Sequence, residues 1–414
     1  MHLNQVFSSC GATQNPVAAG PVFRPIRPEY PVSLDRSYCL RLRSRYNDCD
    51  RCAQACPARV LRITNTAVEL GEGCLRCGQC SAVCPTEALQ TEGFAVTPPR
   101  AAASNMPLYV DCWKVAASDS RANALRVPCL GGIVLHRLVQ WHAACGGRQI
   151  VFLDRGWCAH CSAGCGAHHP VQDTLDAARA LLAKIGVPEH ALPRIESLPL
   201  LQAQMPAEIP EPLAAQFLSR REFFTGITRN AARAHAPATA GQPDEYPQSC
   251  RTPVAKIETT ARSQLLAQAA ALGAQYGRPL PAELFPALRA SDACRNHRVC
   301  AAACPTHALQ AYQSEDGAAQ GIVFDASACI ACSDCTRACP QQALTLVPRG
   351  DGEVPRFAAA LTRWTVRECY DCGHEFADSG SSNTCPTCRK TRELARASFS
   401  QLFAPARSSQ DERV

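Results

Sequence analysis

The stretch CLRCGQCSAVCP at residues 74–85 and its near copy CIACSDCTRACP at residues 329–340 decide how this chain folds. Both have the spacing C-x2-C-x2-C-x3-C-P, with Cys74, Cys77, Cys80 and Cys84 in one and Cys329, Cys332, Cys335 and Cys339 in the other. Three thiolates on one tight loop can wrap one face of a metal cluster. The proline after the fourth cysteine ends the loop and fixes the chain direction. The end of the motif occurs four times, as CPARVL at Cys56, CPTEALQ at Cys84, CPTHALQ at Cys304 and CPQQALT at Cys339. The copies fall into two pairs, and members of a pair lie about thirty residues apart, which is one duplicated module used twice.

The chain has 414 residues and 27 cysteines. A disulfide-rich secreted protein would need an export signal, and MHLNQVFSSCGATQNPVAAG has neither a basic stretch nor an apolar core. The segment beginning at Ser219-Arg220-Arg221 resembles a twin-arginine signal only superficially. It lies deep in the chain, no apolar run follows it, and Ser219 with Glu222 makes an ordinary capping box. No run approaches the roughly 18 apolar residues of a membrane span. A cytoplasmic, reducing compartment with metal-bound thiols is therefore expected. The formal charge of +6 counts cysteines as neutral. Three clusters of four thiolates, a fourth with one neutral histidine ligand and one zinc would add about −9, so the basic balance is no nucleic-acid signal.

The halves upstream of the two unbroken motifs depart from the pattern in different ways. Cys49, Cys52 and Cys56-Pro57 are in register, but Tyr46 stands in the first slot and Cys39 lies seven residues earlier. Either the loop is expanded and Cys39 supplies the ligand, or Cys39 is a free thiol and the cluster is incomplete. In the other module Cys294, Cys300 and Cys304-Pro305 are in register, but His297 takes the second slot. Three alternatives stand there: His297 as the fourth ligand, a [3Fe-4S] cluster beside it, or a surface histidine.

These segments, residues 39–92 and 290–347, resemble the two-cluster bacterial ferredoxin domain, present twice. The resemblance implies electron transfer through three or four [4Fe-4S] clusters and crossed ligation, in which each Cys-Pro cysteine serves the other cluster of its pair. The sets would be Cys39, Cys49, Cys52 and Cys84; Cys74, Cys77, Cys80 and Cys56; Cys329, Cys332, Cys335 and Cys304; and Cys294, His297 and Cys300 with Cys339.

Between the modules, residues 103–202 alternate strand-like and helix-like runs, the pattern of a parallel α/β sheet. Cys112, Cys129, Cys158, Cys161 and Cys165 fall at or near strand ends, where α/β sheets bind ligands. A further iron–sulfur cluster there, or inert buried thiols, are the alternatives. His160, His168 and His169 are nearby polar residues. The layout resembles the iron–sulfur delta subunit of methyl-viologen-reducing hydrogenase, which implies an oxidoreductase partner. Cys369-x2-Cys372 and Cys385-x2-Cys388, within 360–395, form two knuckles that resemble a zinc ribbon, or a rubredoxin-type iron site with the same ligands.

The expected architecture is thus α+β and α/β. Two dicluster modules flank a parallel-sheet domain, with an extension at 1–38, a helical linker at 203–289, the ribbon, and a flexible tail at 396–414. The expected role is an electron carrier for redox proteins or oxidoreductase subunits, with no nucleic acid, no membrane span and no catalytic residue of its own. The alternatives are an accessory protein maturing a molybdenum- or nickel-dependent oxidoreductase, and a disulfide-reducing subunit of heterodisulfide-reductase type.

Overall fold

A computed structural model of the chain describes residues 32–94, 106–158, 161–164, 169–201, 255–349, 358–378 and 382–403. It is a mixed α/β structure with one parallel sheet and four antiparallel ones.

The first module is made of very short elements: β1 (Val32–Leu34), α1 (Leu40–Arg43), α2 (Arg51–Gln54), β2 (Leu61–Ile63), β3 (Val68–Leu70), α3 (Gln79–Ala82) and β4 (Leu89–Thr91). Strand β1 pairs with β4 and β2 with β3, both antiparallel. Helices of one turn cannot stand on their own propensity. They persist because Leu61, Cys80 and Leu89 form a small buried cluster, joined by Val32, Leu34, Cys52 and Cys56. Strand β1 comes from the segment expected to be an extension, so the module begins earlier than its first cysteine.

The middle domain holds β5 (Leu108–Cys112), β6 (Leu125–Val127), α4 (Leu135–Ala144), β7 (Ile150–Asp154), α5 (Gln172–Lys184) and β8 (Arg194–Ser197). The strands run parallel in the order β6-β5-β7-β8. Strand β7, IVFLD, is buried over four consecutive residues, as both faces of a parallel strand require. Helix α5 buries Leu175, Ala178, Leu181 and Leu182, one stripe at helical spacing. Phe152 is fully buried at the centre. Truncating it to alanine would cost about 3–5 kcal/mol.

The second module follows, with α6 (Thr260–Gln275), β9 (Ala287–Ala290), α7 (Val299–Ala303), β10 (Leu309–Gln313), β11 (Ala319–Phe324), α8 (Asp334–Arg337) and β12 (Leu344–Val347). The described part of the segment expected to be a helical linker, 255–289, packs into a core. Helix α6 buries Ala269 and Leu272 in a core shared by α5 and the second module, and β9 pairs with β12. The ribbon is no separate unit either. Its β13 (Ala359–Glu368) pairs with β11 on one side and β14 (Glu375–Asp378) on the other, in a sheet ordered β10-β11-β13-β14. The last helix, α9 (Pro386–Phe403), runs into the expected tail.

Candidate metal centres

The four Cys-Pro steps that close the cysteine loops turn the same way. Three residues after each cysteine, Arg59, Glu87, His307 and Gln342 take left-handed backbone, with φ of 53°, 56°, 60° and 49°. The amides of Arg59, Glu87 and Gln342 return to the carbonyls of Cys56, Cys84 and Cys339 at 3.0, 3.4 and 3.0 Å. The turn carries each cysteine away from its own loop, and four hollows result. Cys39, Cys49 and Cys52 meet Cys84. Cys74, Cys77 and Cys80 meet Cys56. Cys329, Cys332 and Cys335 meet Cys304. Cys294, His297 and Cys300 meet Cys339. The four hollows are of similar size.

The loop backbones repeat as well. The amides of Arg76, Asn296 and Ala331 point at the sulfurs of Cys74, Cys294 and Cys329, at 3.4, 3.5 and 3.5 Å. These residues are left-handed, and so are Gly78, Arg298 and Ser333 just past the second slot. His297 therefore has the backbone setting of Cys77 and Cys332, and it is exposed. The loop before Cys49 lacks this setting. Asp50 has φ of −136°, and α1 occupies the space between Cys39 and Cys49.

Burial opposes ionisation in these hollows. It pushes the thiols of Cys52, Cys77 and Cys332 up to about 12 and that of Cys80 to about 11, and neighbouring thiols add to the rise. Thiolates gathered this closely need a cationic centre between them. Among the described residues, the sulfurs of these hollows do not all close to within 4.8 Å of one another, whereas those of the knuckles do. Wide spacing suits thiolates that each bind a different iron of a cubane.

The knuckles differ in that respect. Cys372 Sγ and Cys385 Sγ stand 3.8 Å apart. With metal–sulfur bonds of about 2.3 Å, a tetrahedron around one ion has an edge of about 3.8 Å. The amides of Cys385 and Cys388 face the sulfurs of Cys369 and Cys385 at 3.2 and 3.4 Å. The Cys385 amide is the main cause holding the Cys369 thiol down to about 6.

In the middle domain, Cys112 ends β5, Cys129 follows β6 and Cys158 follows β7. The sheet grows outward on both sides of β5, so these carboxyl ends surround its topological switch point. Burial pushes Cys112 up to about 11 and Cys158 to about 12, with Cys161 adding to both. Lys114 Nζ lies 3.5 Å from Cys161 Sγ. A buried pair, Arg155 with Asp111 at 2.6 Å, ties the ends of β5 and β7 beneath the group. Asp154, Cys158 and His169 form a second close set. Cys165, His160 and His168 lie outside the described residues, as do Cys10, Cys250 and the Ser219–Glu222 segment.

This group touches the first module. Cys129 packs with Cys77 and Leu75, and Gln79 Nε2 donates to Ala163 O at 2.5 Å. Gly132 makes the contact possible, because a Cβ there would stand 2.5 Å from the Cys77 carbonyl and 2.2 Å from the Phe94 ring. The motif at 74–85 gave no hint of this contact. The glycine pair after Cys129 was its only sequence signal.

Residues 321–390 match the family described as the 4Fe-4S dicluster domain. Both the Cys329–Cys339 motif and the four knuckle cysteines lie in the matched stretch. That supports at least one [4Fe-4S] cluster and iron–sulfur electron transfer as the chemistry of this part of the chain. The fold carries that stretch's cysteines to upstream partners outside it, Cys304 for one hollow and Cys294 and Cys300 for the other. No curated protein matches the chain. Among the described residues no helix is long and apolar enough to cross a membrane.

Proposed function

We propose that the chain is an electron-transfer protein with a [4Fe-4S] cluster at each of the four hollows and one zinc ion at the knuckles, serving redox proteins or oxidoreductase subunits as partners. The observation that carries this reading is the crossed lining: in all four cases three slots of one loop meet the Cys-Pro cysteine of the other half. Such clusters supply one-electron storage when bound. The protein's part is to fix them in pairs, exclude water with Leu61, Leu89, Leu288 and Leu309, and aim N–H groups at the sulfurs. The 3.8 Å sulfur spacing supports a single ion at the knuckles.

Anaerobic purification with measurement of iron, sulfide and zinc tests the proposal. Fewer than about fourteen iron atoms per chain would sink it, since four cubanes hold about sixteen.

One observation favours a second reading for the middle domain. Cys129 lies against Cys77, so an electron held at Cys74, Cys77, Cys80 and Cys56 has the strand-end thiols as its next neighbour. These cysteines then hold a further iron–sulfur centre or act as the reducible pair of an oxidoreductase subunit. Cys129→Ser in the full chain separates the two. Loss of iron supports a centre, while loss of disulfide-reducing activity at constant iron supports redox thiols.

A further inference from the structure

The first loop of module I is longer than its motif requires, with nine residues between Cys39 and Cys49 where two suffice. The added chain reaches the second module. Arg337 donates to the carbonyl of Tyr46 at 3.3 Å and pairs with Asp48 at 2.8 Å. Arg43 donates to the carbonyl of Ala255. At the centre of this contact, Asn47 Nδ2 donates to Asp334 Oδ1 at 2.6 Å, across 287 residues of sequence. Asn47 is 5% exposed and Asp334 1%.

Both partners also hold a cysteine of a hollow. The amide of Cys49 donates to Asn47 Oδ1 at 2.8 Å, and the amide of Asp334 faces the sulfur of Cys332. An unbroken chain of bonds and hydrogen bonds thus runs from Cys49 through Asn47 and Asp334 to Cys332. A further bond across this region, from the Ala261 amide to Glu87 Oε2 at 2.8 Å, ends on α6 rather than on a cysteine loop.

We infer that the enlarged loop is an electron bridge between the modules, with Asn47 and Asp334 as positioning residues that couple the centre at Cys39, Cys49, Cys52 and Cys84 to the one at Cys304, Cys329, Cys332 and Cys335. This rests on the reading that the hollows hold clusters. One electron moves, one centre is oxidised as the other is reduced, no bond forms or breaks and no proton moves. The electron comes from an external low-potential one-electron reductant. With the contact between Cys77 and Cys129, the bridge sets a linear order: the His297 hollow at one end, the Cys304 hollow, the Cys39 hollow, the Cys56 hollow, and the strand-end thiols of the middle domain at the other.

The test uses the full-length holoprotein, flash-reduced by less than one electron per chain, with freeze-quench EPR following redistribution between the modules. Asn47→Leu keeps the volume and removes both hydrogen bonds. Redistribution should slow several-fold, with iron content, cluster spectra and the inter-centre distance from pulsed dipolar EPR as in the wild type. A purely structural brace would leave the rate unchanged at unchanged distance, and that result overturns the inference. If Asn47→Leu loses iron, Asp334→Leu replaces it. That change removes the Asn47–Asp334 bond and leaves the bond from the Cys49 amide to Asn47, and an unchanged redistribution rate again overturns the bridge. Wild-type protein lacking iron in one module would refute the cluster reading, which is a separate failure.

Discussion

Modules I and II share one design and break it in opposite ways. In module II a ligand slot is substituted: Asn296 and Arg298 keep the left-handed backbone on either side of His297, as Arg76 and Gly78 do around Cys77. In module I the loop is rebuilt: α1 fills the interval, Asp50 leaves the left-handed region, and Cys39 still arrives beside Cys49, Cys52 and Cys84. A substitution leaves the loop intact and sets an imidazole where the other loops have a thiol. An insertion changes the loop and leaves the sulfur set complete. The added residues then do something the short loop could not, which is to reach the other module.

The largest effects test what the modules have in common. Cys84→Ala should strip the centre that it shares with Cys39, Cys49 and Cys52, a loss of about four iron atoms. Adding Cys39→Ser to it should remove nothing further, whereas adding Cys74→Ala should double the loss, because that cysteine belongs to the other hollow. The parallel pair in module II is Cys304→Ala with Cys329→Ser, again one loss and not two. Iron analysis that instead follows sequence neighbours, grouping Cys84 with Cys74, would break the crossed assignment in both modules.

Next in size is the single change Cys39→Ser, which bears on module I alone. Iron content should fall or one cluster signal should shift, and Cys10→Ser should change neither. Identical spectra for the two variants would mean that the rebuilt loop gives no ligand.

A smaller effect concerns the knuckles, which hang on the sheet of module II. Cys385→Ser should release one zinc ion and loosen the β13–β14 hairpin, while iron content holds, since β11 keeps its pairing with β10. A fall of about four iron atoms would show that the knuckles hold a cubane instead.

How much of this was legible in sequence depended on whether the signal was local. The Cys329–Cys339 loop was readable because the spacing that falls in the matched dicluster stretch is local. The middle strands were readable because IVFLD and LYVDC are buried and periodic. The pairing of β1 with β4 was not, since three residues carry too little pattern to separate a strand from an extension. Helix α6 reads as part of a helical linker because its alanine-rich stripe is only weakly amphipathic, and it acquires a buried face only against α4, α5 and the second module. The Asn47–Asp334 contact joins positions 287 residues apart, so only the odd length of the first loop pointed to it.

The smallest effect isolates the corner where the modules differ in ligand type. His297 lines its hollow with Cys294, Cys300 and Cys339, in the backbone register of a second cysteine. A neutral imidazole in place of a thiolate removes one negative charge from the ligand shell, which favours the reduced state. Rieske centres show the direction: two histidines on one iron raise the potential by several hundred millivolts, so one histidine on a four-iron centre should raise it by on the order of 100 mV. His297→Cys should therefore lower the potential of one centre by that amount and leave the other three unmoved, as read by an anaerobic redox titration followed by EPR. If the site is a three-iron centre, the wild type should be paramagnetic when oxidised, and His297→Cys should convert that signal to one that appears on reduction. Both outcomes put position 297 at the second slot of one centre, with the imidazole bound in the first and unbound in the second. Four unchanged signals would make it a bystander. Module II would then differ from module I by a missing ligand rather than an exchanged one.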